Sequence, residues 1–225
     1  MTVPPIRARG VVVRRGGRTV LDGVDVDVEP GVVTGVVGPS GAGKTTLLRV
    51  LAGLVAPDAG TVDHGDGAAR PRPGALALLA QHPRTVCNPR WTLARVIAEP
   101  LLVARRPAAR DVLEDAARRA TLDTGLLDRF PSQVSDGQLQ RACVARALAQ
   151  EPDFVLADEP VAMLDPVAAR AVLRVLDDLC AAGTGIVLVS HNAPLVRNRS
   201  ATIVDVQSSG ATSTETPICE PLESV

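Results

Sequence analysis

Lysine is almost missing from this 225-residue chain: among 24 Lys and Arg residues, Lys44 is the only lysine. Arginine, alanine and valine are used heavily throughout, so a pair such as Arg105 and Arg106 reads as a solvated face, not a binding patch. A global charge is also missing. The formal net charge is -1, which creates no basic field and argues against nucleic acid as a partner. No apolar run reaches the ~18 to 20 residues that a membrane-spanning helix requires. The opening "MTVPPIRARG" lacks the apolar segment of a secretory signal, so the chain is expected to stay in the cytosol. The four cysteines, Cys87, Cys143, Cys180 and Cys219, are far apart and contain no CxxC pair. That spacing indicates neither a zinc site nor a disulfide framework and leaves reduced structural thiols as the expectation.

What is present is 46% apolar residues, ample for one sizeable core. Apolar or alternating β-branched runs at 11–13, 24–28, 32–37, 75–80, 154–157, 186–190 and 202–206 predict strands. Helical periodicity predicts helices at 44–53, 92–103, 110–120, 138–149 and 167–181. Strands alternating with helices imply a parallel α/β sheet. Two segments depart from that alternation: "RRGGRT" reads as a hairpin turn in an antiparallel layer, and about 85–149 reads as a helical lobe. The tail "QSSGATSTETPICEPLESV" is rich in Ser, Thr, Pro and Gly and is expected to be loose.

The segment "VVTGVVGPSGAGKTT" runs strand, glycine-rich loop, helix, and Gly38, Gly43, Lys44 and Thr45 occupy every fixed position of G-x-x-x-x-G-K-[ST]. Such a loop, Gly38-Pro39-Ser40-Gly41-Ala42-Gly43-Lys44-Thr45-Thr46, aims backbone N–H groups at phosphate oxygens, and the following helix adds its positive end. The ammonium of Lys44 is compact enough to reach the β and γ phosphates inside the loop, where a planar guanidinium is not, and Thr45 offers a hydroxyl to Mg2+. A metal-phosphate site also needs a carboxylate at the end of a buried strand, and "DFVLADEP" supplies two. Asp158 is the candidate Mg2+ ligand through water, and Glu159 the candidate that orients attacking water. The same two acids could instead cap the next helix.

With these residues in place, "GPSGAGKTT", "LLAQHP", "VSDGQLQRACVARAL", "FVLADEP", "MLDP" and "VLVSHN" together resemble the ATPase subunits of ABC transporters over nearly the whole chain. The resemblance implies an α/β P-loop NTPase (RecA-like) core with an antiparallel β layer and a helical subdomain. A single domain would span 1–207, with core 1–84 and 150–207, helical subdomain about 85–149, and tail 208–225. It implies ATP and Mg2+ as cofactors and a head-to-tail dimer, in which the signature residues Ser135, Gly137 and Gln138 face the partner's nucleotide. By the same resemblance Gln81 is the Q-loop residue near Mg2+ and the attacking water, Asp165 the D-loop aspartate and His191 the switch histidine at the γ-phosphate. His64 and His82 stay ordinary polar residues.

"QHPRTVCNPRWTLARVIAEPLL" is similar, more narrowly, to the segment after the Q-loop in ATPases of peptide and nickel importers. That branch implies import of peptides, nickel or a metal chelate and a place at the cytoplasmic face of the membrane. The implied partners are two permease subunits, a sister ATPase or a second copy, and, indirectly, a substrate-binding protein. Trp91 could pack against a permease helix or in the core. The alternatives are a soluble non-transport ABC ATPase and a catalytically weak partner in an ATPase heterodimer.

Three positions depart from the family pattern. Asp136 replaces the first glycine of LSGGQ, and at about 8 Å and an effective dielectric near 40 its repulsion of a phosphate is ~1 kcal/mol. No aromatic stands near "VVVRRGGRTV" to stack on adenine, which leaves the guanidinium of Arg15 as the candidate. "SHN" also replaces the commoner Ser-His-Asp.

Overall fold

The computed structural model describes residues 2–65, 67–207 and 212–215. The chain divides into two compact units, Met1–Pro71 with Gly185–Val225, and Arg72–Thr184.

In the first unit, β1 (Ile6–Arg15) and β2 (Arg18–Val28) form an antiparallel hairpin. Gly16 and Gly17 both have positive φ, 56° and 77°, as a two-residue turn of the type that matches strand twist requires. Alternate side chains point inward: Ile6, Ala8, Val11 and Val13 on β1, and Val24, Val26 and Val28 on β2, are buried. Each buried valine or isoleucine among them contributes about 1.5–3 kcal/mol before the entropy of ordering is subtracted. β4 (Ala59–Asp63) pairs antiparallel with the other edge of β1, giving the order β2-β1-β4.

A second sheet of this unit places β3 (Val33–Val37) between β7 (Gly185–Val189) and β8 (Thr202–Val206), all parallel. All five residues of β7, four of five in β3 and three of five in β8 are buried, as strands covered on both faces require. Helix α1 (Lys44–Leu51) follows β3, and α7 (Ala193–Arg197) follows β7. Val196 of α7 lies directly over Gly35, where any added Cβ would collide with it.

The second unit carries the parallel pair β5 (Leu76–Leu79) and β6 (Phe154–Asp158) and most of the helices. These are α2 (Pro83–Val86), α3 (Leu93–Val103), α4 (Arg110–Arg119), α5 (Asp136–Gln150) and α6 (Pro166–Ala181). Helix α5 is the hub, packed against α2, α3, α4, α6 and β5. Its buried Ala142, Ala145, Ala147 and Ala149 let neighbours approach from several sides, so its apolar residues are not confined to one stripe.

Four elements go beyond the sequence expectations. β4 has only two β-branched residues and is held by β1: the Asp58 N–H donates to the Val12 carbonyl at 2.8 Å, and Arg14 N–H donates to Asp58 Oδ2 at 2.6 Å. α2 and α7 span four and five residues, too few for a helical period to register. Part of the tail expected to be loose, Thr212–Glu215, is a strand β9 antiparallel to β8. Pairing with β8 supplies backbone hydrogen bonds that composition could not foretell. The rest of the tail, including Cys219, lies outside the described residues.

Among the described residues Cys87, Cys143 and Cys180 are free thiols. Cys87 and Cys143, 56 residues apart in the chain, bring their buried thiols to 3.5 Å, because α2 lies on α5.

Candidate functional site

Residues at the carboxyl ends of parallel strands gather ligands in α/β sheets, and each unit presents one such edge. In the first unit the register Val36↔Val189 aligns the ends of β3 and β7, so the loop from Gly38 and the Ser190-His191 segment leave the same edge from adjacent strands. His191 is exposed there.

Gly38 has φ +146°, and a Cβ at that position would strike the Val206 carbonyl oxygen. Gly43 has φ +101°, and its Cβ would stand 2.8 Å from the Val20 carbonyl oxygen. These two glycines fix the loop against β8 on one side and β2 on the other. Gly43 is also the N-cap of α1, with no side-chain capping bond and no acidic residue in the first turn. The N-cap residue therefore supplies no side-chain acceptor, and the first turn carries no carboxylate against the positive end of the helix.

Lys44 Nζ donates to the carbonyls of Gly38 and Pro39 at 2.7 and 2.8 Å, which folds the ammonium back across the loop. An ammonium has three donors, so it can hold both carbonyls and present a third to a phosphate oxygen. Pro39, Ser40, Gly41, Ala42, Thr45 and Thr46 complete the loop and the first turn, with Ala42 N–H donating to the Pro39 carbonyl at 3.2 Å. Arg15 is exposed at the end of β1, directly before the hairpin turn.

In the second unit Leu79↔Ala157 aligns β5 and β6, so Gln81 and the pair Asp158-Glu159 leave a common edge. Gln81 is half-buried, whereas Asp158 and Glu159 are 6% and 8% exposed. Glu159 has φ +49°, a left-handed conformation that costs a non-glycine residue on the order of 1–3 kcal/mol. The surrounding packing imposes that backbone, and the strain falls on the residue expected to handle water.

The signature segment sits at the start of α5. Ser135 Oγ accepts from Gln138 N–H at 3.2 Å and Gln138 Oε1 accepts from Ser135 N–H at 2.9 Å, a reciprocal capping box. Gly137 packs so closely on the next loop that a Cβ would stand 3.2 Å from Leu164 Cδ2. Asp165, just beyond, caps α6: its Oδ1 accepts from the N–H groups of Val167 at 3.0 Å and Ala168 at 2.9 Å. The Ala168 N–H foremost holds its carboxyl below the usual carboxylate range.

Asn192 caps α7, with Oδ1 accepting from Leu195 N–H at 3.1 Å. Either Asn or Asp performs that task, which accounts for "SHN". Trp91 is half-buried and closes the turn of "NPRW", where its N–H donates to the Asn88 carbonyl at 3.1 Å. The Arg95 guanidinium lies 5.0 Å from its ring centroid, so it occupies neither a full core position nor a bare surface. His64 has its pKa lowered by burial.

Two residues escaped the sequence reading. Gln140, 1% exposed on α5, donates from Nε2 to the Pro160 carbonyl at 3.2 Å and so ties the signature helix to the turn after Glu159. A polar residue among the alanines of α5 was its only signal. Arg84 on α2 reaches Asp136 across 52 residues of chain, and nothing in the sequence announces that contact.

The uncapped helix, the glycine-shaped loop and Lys44 fit a nucleoside polyphosphate. Among the described residues no group of three or more His, Cys, Asp or Glu could hold a metal ion by itself. Mg2+ binds through one or two carboxylates together with phosphates and water, and Asp158 supplies a carboxylate at the end of β6.

Residues 21–162 match the family model described as ABC transporter. The chain is 35% identical over 208 residues to the L-cystine transport system ATP-binding protein of Escherichia coli, covering 86% of this chain and 82% of that one. It is 34% identical over 184 residues to a probable D,D-dipeptide transport ATP-binding protein of Escherichia coli, covering 80% of this chain. It is 38% identical over 192 residues to an Fe(3+) ions import ATP-binding protein of Rhodococcus jostii, again covering 80%. The chain spans 58% and 53% of the lengths of those last two. Among solved structures, a dimeric ATP-binding cassette in a post-hydrolysis state with ADP and Pi matches at a TM-score of 0.84 and 25% identity, covering 94% of this chain and 98% of that one.

Proposed function

Because the chain belongs to the ABC transporter family and is an ATPase whose hydrolysis is coupled to transport, we propose that it powers an importer of peptides, nickel or a metal chelate. The observation that carries the ATPase reading is the phosphate cradle, with Lys44 folded across the loop before an uncapped α1. The Asn88–Trp91 turn and the D,D-dipeptide relative support the choice of cargo.

In this reading Lys44 and the N–H groups of the Gly38–Thr46 loop hold the β and γ phosphates, and Arg15 stacks on the base. Thr45 and Asp158, with Gln81, are the residues that would hold Mg2+, which neutralises phosphate charge when bound. Glu159 orients the water that attacks the γ-phosphorus in line, accepting its proton as the bond to the β–γ bridging oxygen breaks. Lys44 and His191 stabilise the charge that develops on the γ oxygens. Ser135, Gly137 and Gln138 face the nucleotide of a partner ATPase, a second copy or a sister subunit, and Asp165 lies beside that contact.

The assembly sits on two permeases at the cytoplasmic face of the membrane and receives cargo from a substrate-binding protein. Substitution of Glu159 by Gln tests the chemistry. ATP binding persists while hydrolysis in the assembled complex falls by on the order of 10^2-fold or more, and undiminished hydrolysis overturns the assignment. Cargo is tested by uptake of labelled dipeptide and of nickel by cells with and without the chain.

A further inference from the structure

The carboxylate of Asp136 stands at the first position of α5, between Ser135 and Gly137, where the proposed function brings a partner's phosphates. Left alone it would repel them. In the structure it does not stand alone: Arg84 Nε donates to Asp136 Oδ1 at 2.5 Å. The same guanidinium donates from Nη1 to the Pro131 carbonyl at 2.8 Å and from Nη2 to the Val134 carbonyl at 3.0 Å.

All three nitrogens of one planar fork are thus engaged on residues 131, 134 and 136, which frame the entry to the signature segment. Pro131–Gln133 is a short 3-10 turn and Val134 is buried, so the two carbonyls belong to an ordered strap and not a free loop. An isolated exposed ion pair contributes little. Here the carbonyl bonds pre-set the guanidinium, so little further freedom is lost in meeting the carboxylate.

We propose that Arg84 is a positioning residue for ATP hydrolysis: it cancels the Asp136 charge and turns that carboxylate aside, so that a signature segment with aspartate in place of glycine can receive a partner's triphosphate. The inference rests on the proposed ATPase dimer. Arg84 lies on α2, three residues after Gln81, so the Q-loop segment and the signature segment are joined by this one side chain.

The test is a double-mutant cycle in the full-length chain, assembled with its partner ATPase, using Arg84→Ala and Asp136→Gly. Arg84→Ala lowers kcat by roughly five- to tenfold, since the unscreened repulsion and a loosened strap act together. The equilibrium affinity of the single chain for ATP, set by the Lys44 loop, stays within twofold. In the Asp136→Gly background the same Arg84→Ala change alters kcat less than twofold. Arg84→Lys restores charge without the fork and recovers part of the loss, and raising the salt concentration narrows the gap between Arg84→Ala and the parent.

An equal loss in both backgrounds, or no loss in either, overturns the proposal. A parent chain that fails to hydrolyse ATP breaks the functional reading instead. Amide exchange across residues 131–138 of the nucleotide-free chain then still decides the clamp: Arg84→Ala speeds it if the clamp exists, and unchanged exchange refutes it.

Discussion

A lysine that donates to two carbonyls of its own loop is held by geometry as well as charge, and Lys44→Arg separates the two. Arginine keeps the charge, but a planar fork cannot converge on the Gly38 and Pro39 carbonyls and a phosphate as a tetrahedral ammonium can. Lys44→Arg is expected to lose hydrolysis by on the order of 10^2-fold while thermal unfolding stays within a few degrees. ATPase assays paired with calorimetry check this. Gly38→Ala behaves in the opposite way. Its Cβ would strike the Val206 backbone in a conformation that alanine disfavours, so stability falls by about 2–4 kcal/mol in denaturant titrations. Lys44 was legible in the sequence because the loop motif is local and the carbonyls it bonds lie within six residues, whereas the Val206 backbone that Gly38 faces is distant in the chain and left no local signal.

At the scale of elements, what the sequence reveals follows the range of the forces involved. Five helices and seven strands announced themselves through periodicity and flanking Gly or Pro, because their own residues determine one buried face. β4, β9, α2 and α7 did not: β4 is held by β1, more than forty residues earlier, β9 by its hairpin partner β8 in a stretch whose composition reads as loose, and α2 and α7 are too short for a helical period. The contacts of the candidate site divide in the same way. The Ser135 capping box spans three residues and could be read ahead, whereas Gln140 to Pro160 and Arg84 to Asp136 close over 20 and 52 residues. Asp165 makes the point testable through pH. Its carboxyl is held below the unfolded value near 3.9 by the N–H groups of Ala168 and Val167. The cap therefore contributes its full share of stability above that value and loses it as pH falls through the lower folded pKa. Asp165→Asn keeps an acceptor for the cap but removes the titration, so its stability curve below pH 4 is flatter than the parent's in acid titrations followed by circular dichroism.

For the whole molecule, the residues around Asp165 bear on pairing. Val167 is 81% and Met163 43% exposed, two apolar side chains flanking an aspartate that caps its own helix. Exposed apolar area of this kind favours association when an ordered surface covers it. The matched ATP-binding cassette with ADP and Pi is dimeric, and the proposed function puts the signature segment against a partner's nucleotide. Pairing is then expected to need both nucleotide and this surface. With Glu159→Gln slowing hydrolysis, ATP should shift the chain, or the chain mixed with its sister ATPase, from monomer to dimer in light scattering. Val167→Asp in that background should abolish the shift, because closing the interface would bury a new unpaired carboxylate near phosphates. ATP binding by the monomer should be unchanged, since Val167 is neither in the Gly38–Thr46 loop nor among the residues assigned to Mg2+. Persistent ATP-driven dimers in the Val167→Asp variant would place the pairing surface elsewhere. Loss of monomer binding would show instead that the substitution disturbs the fold.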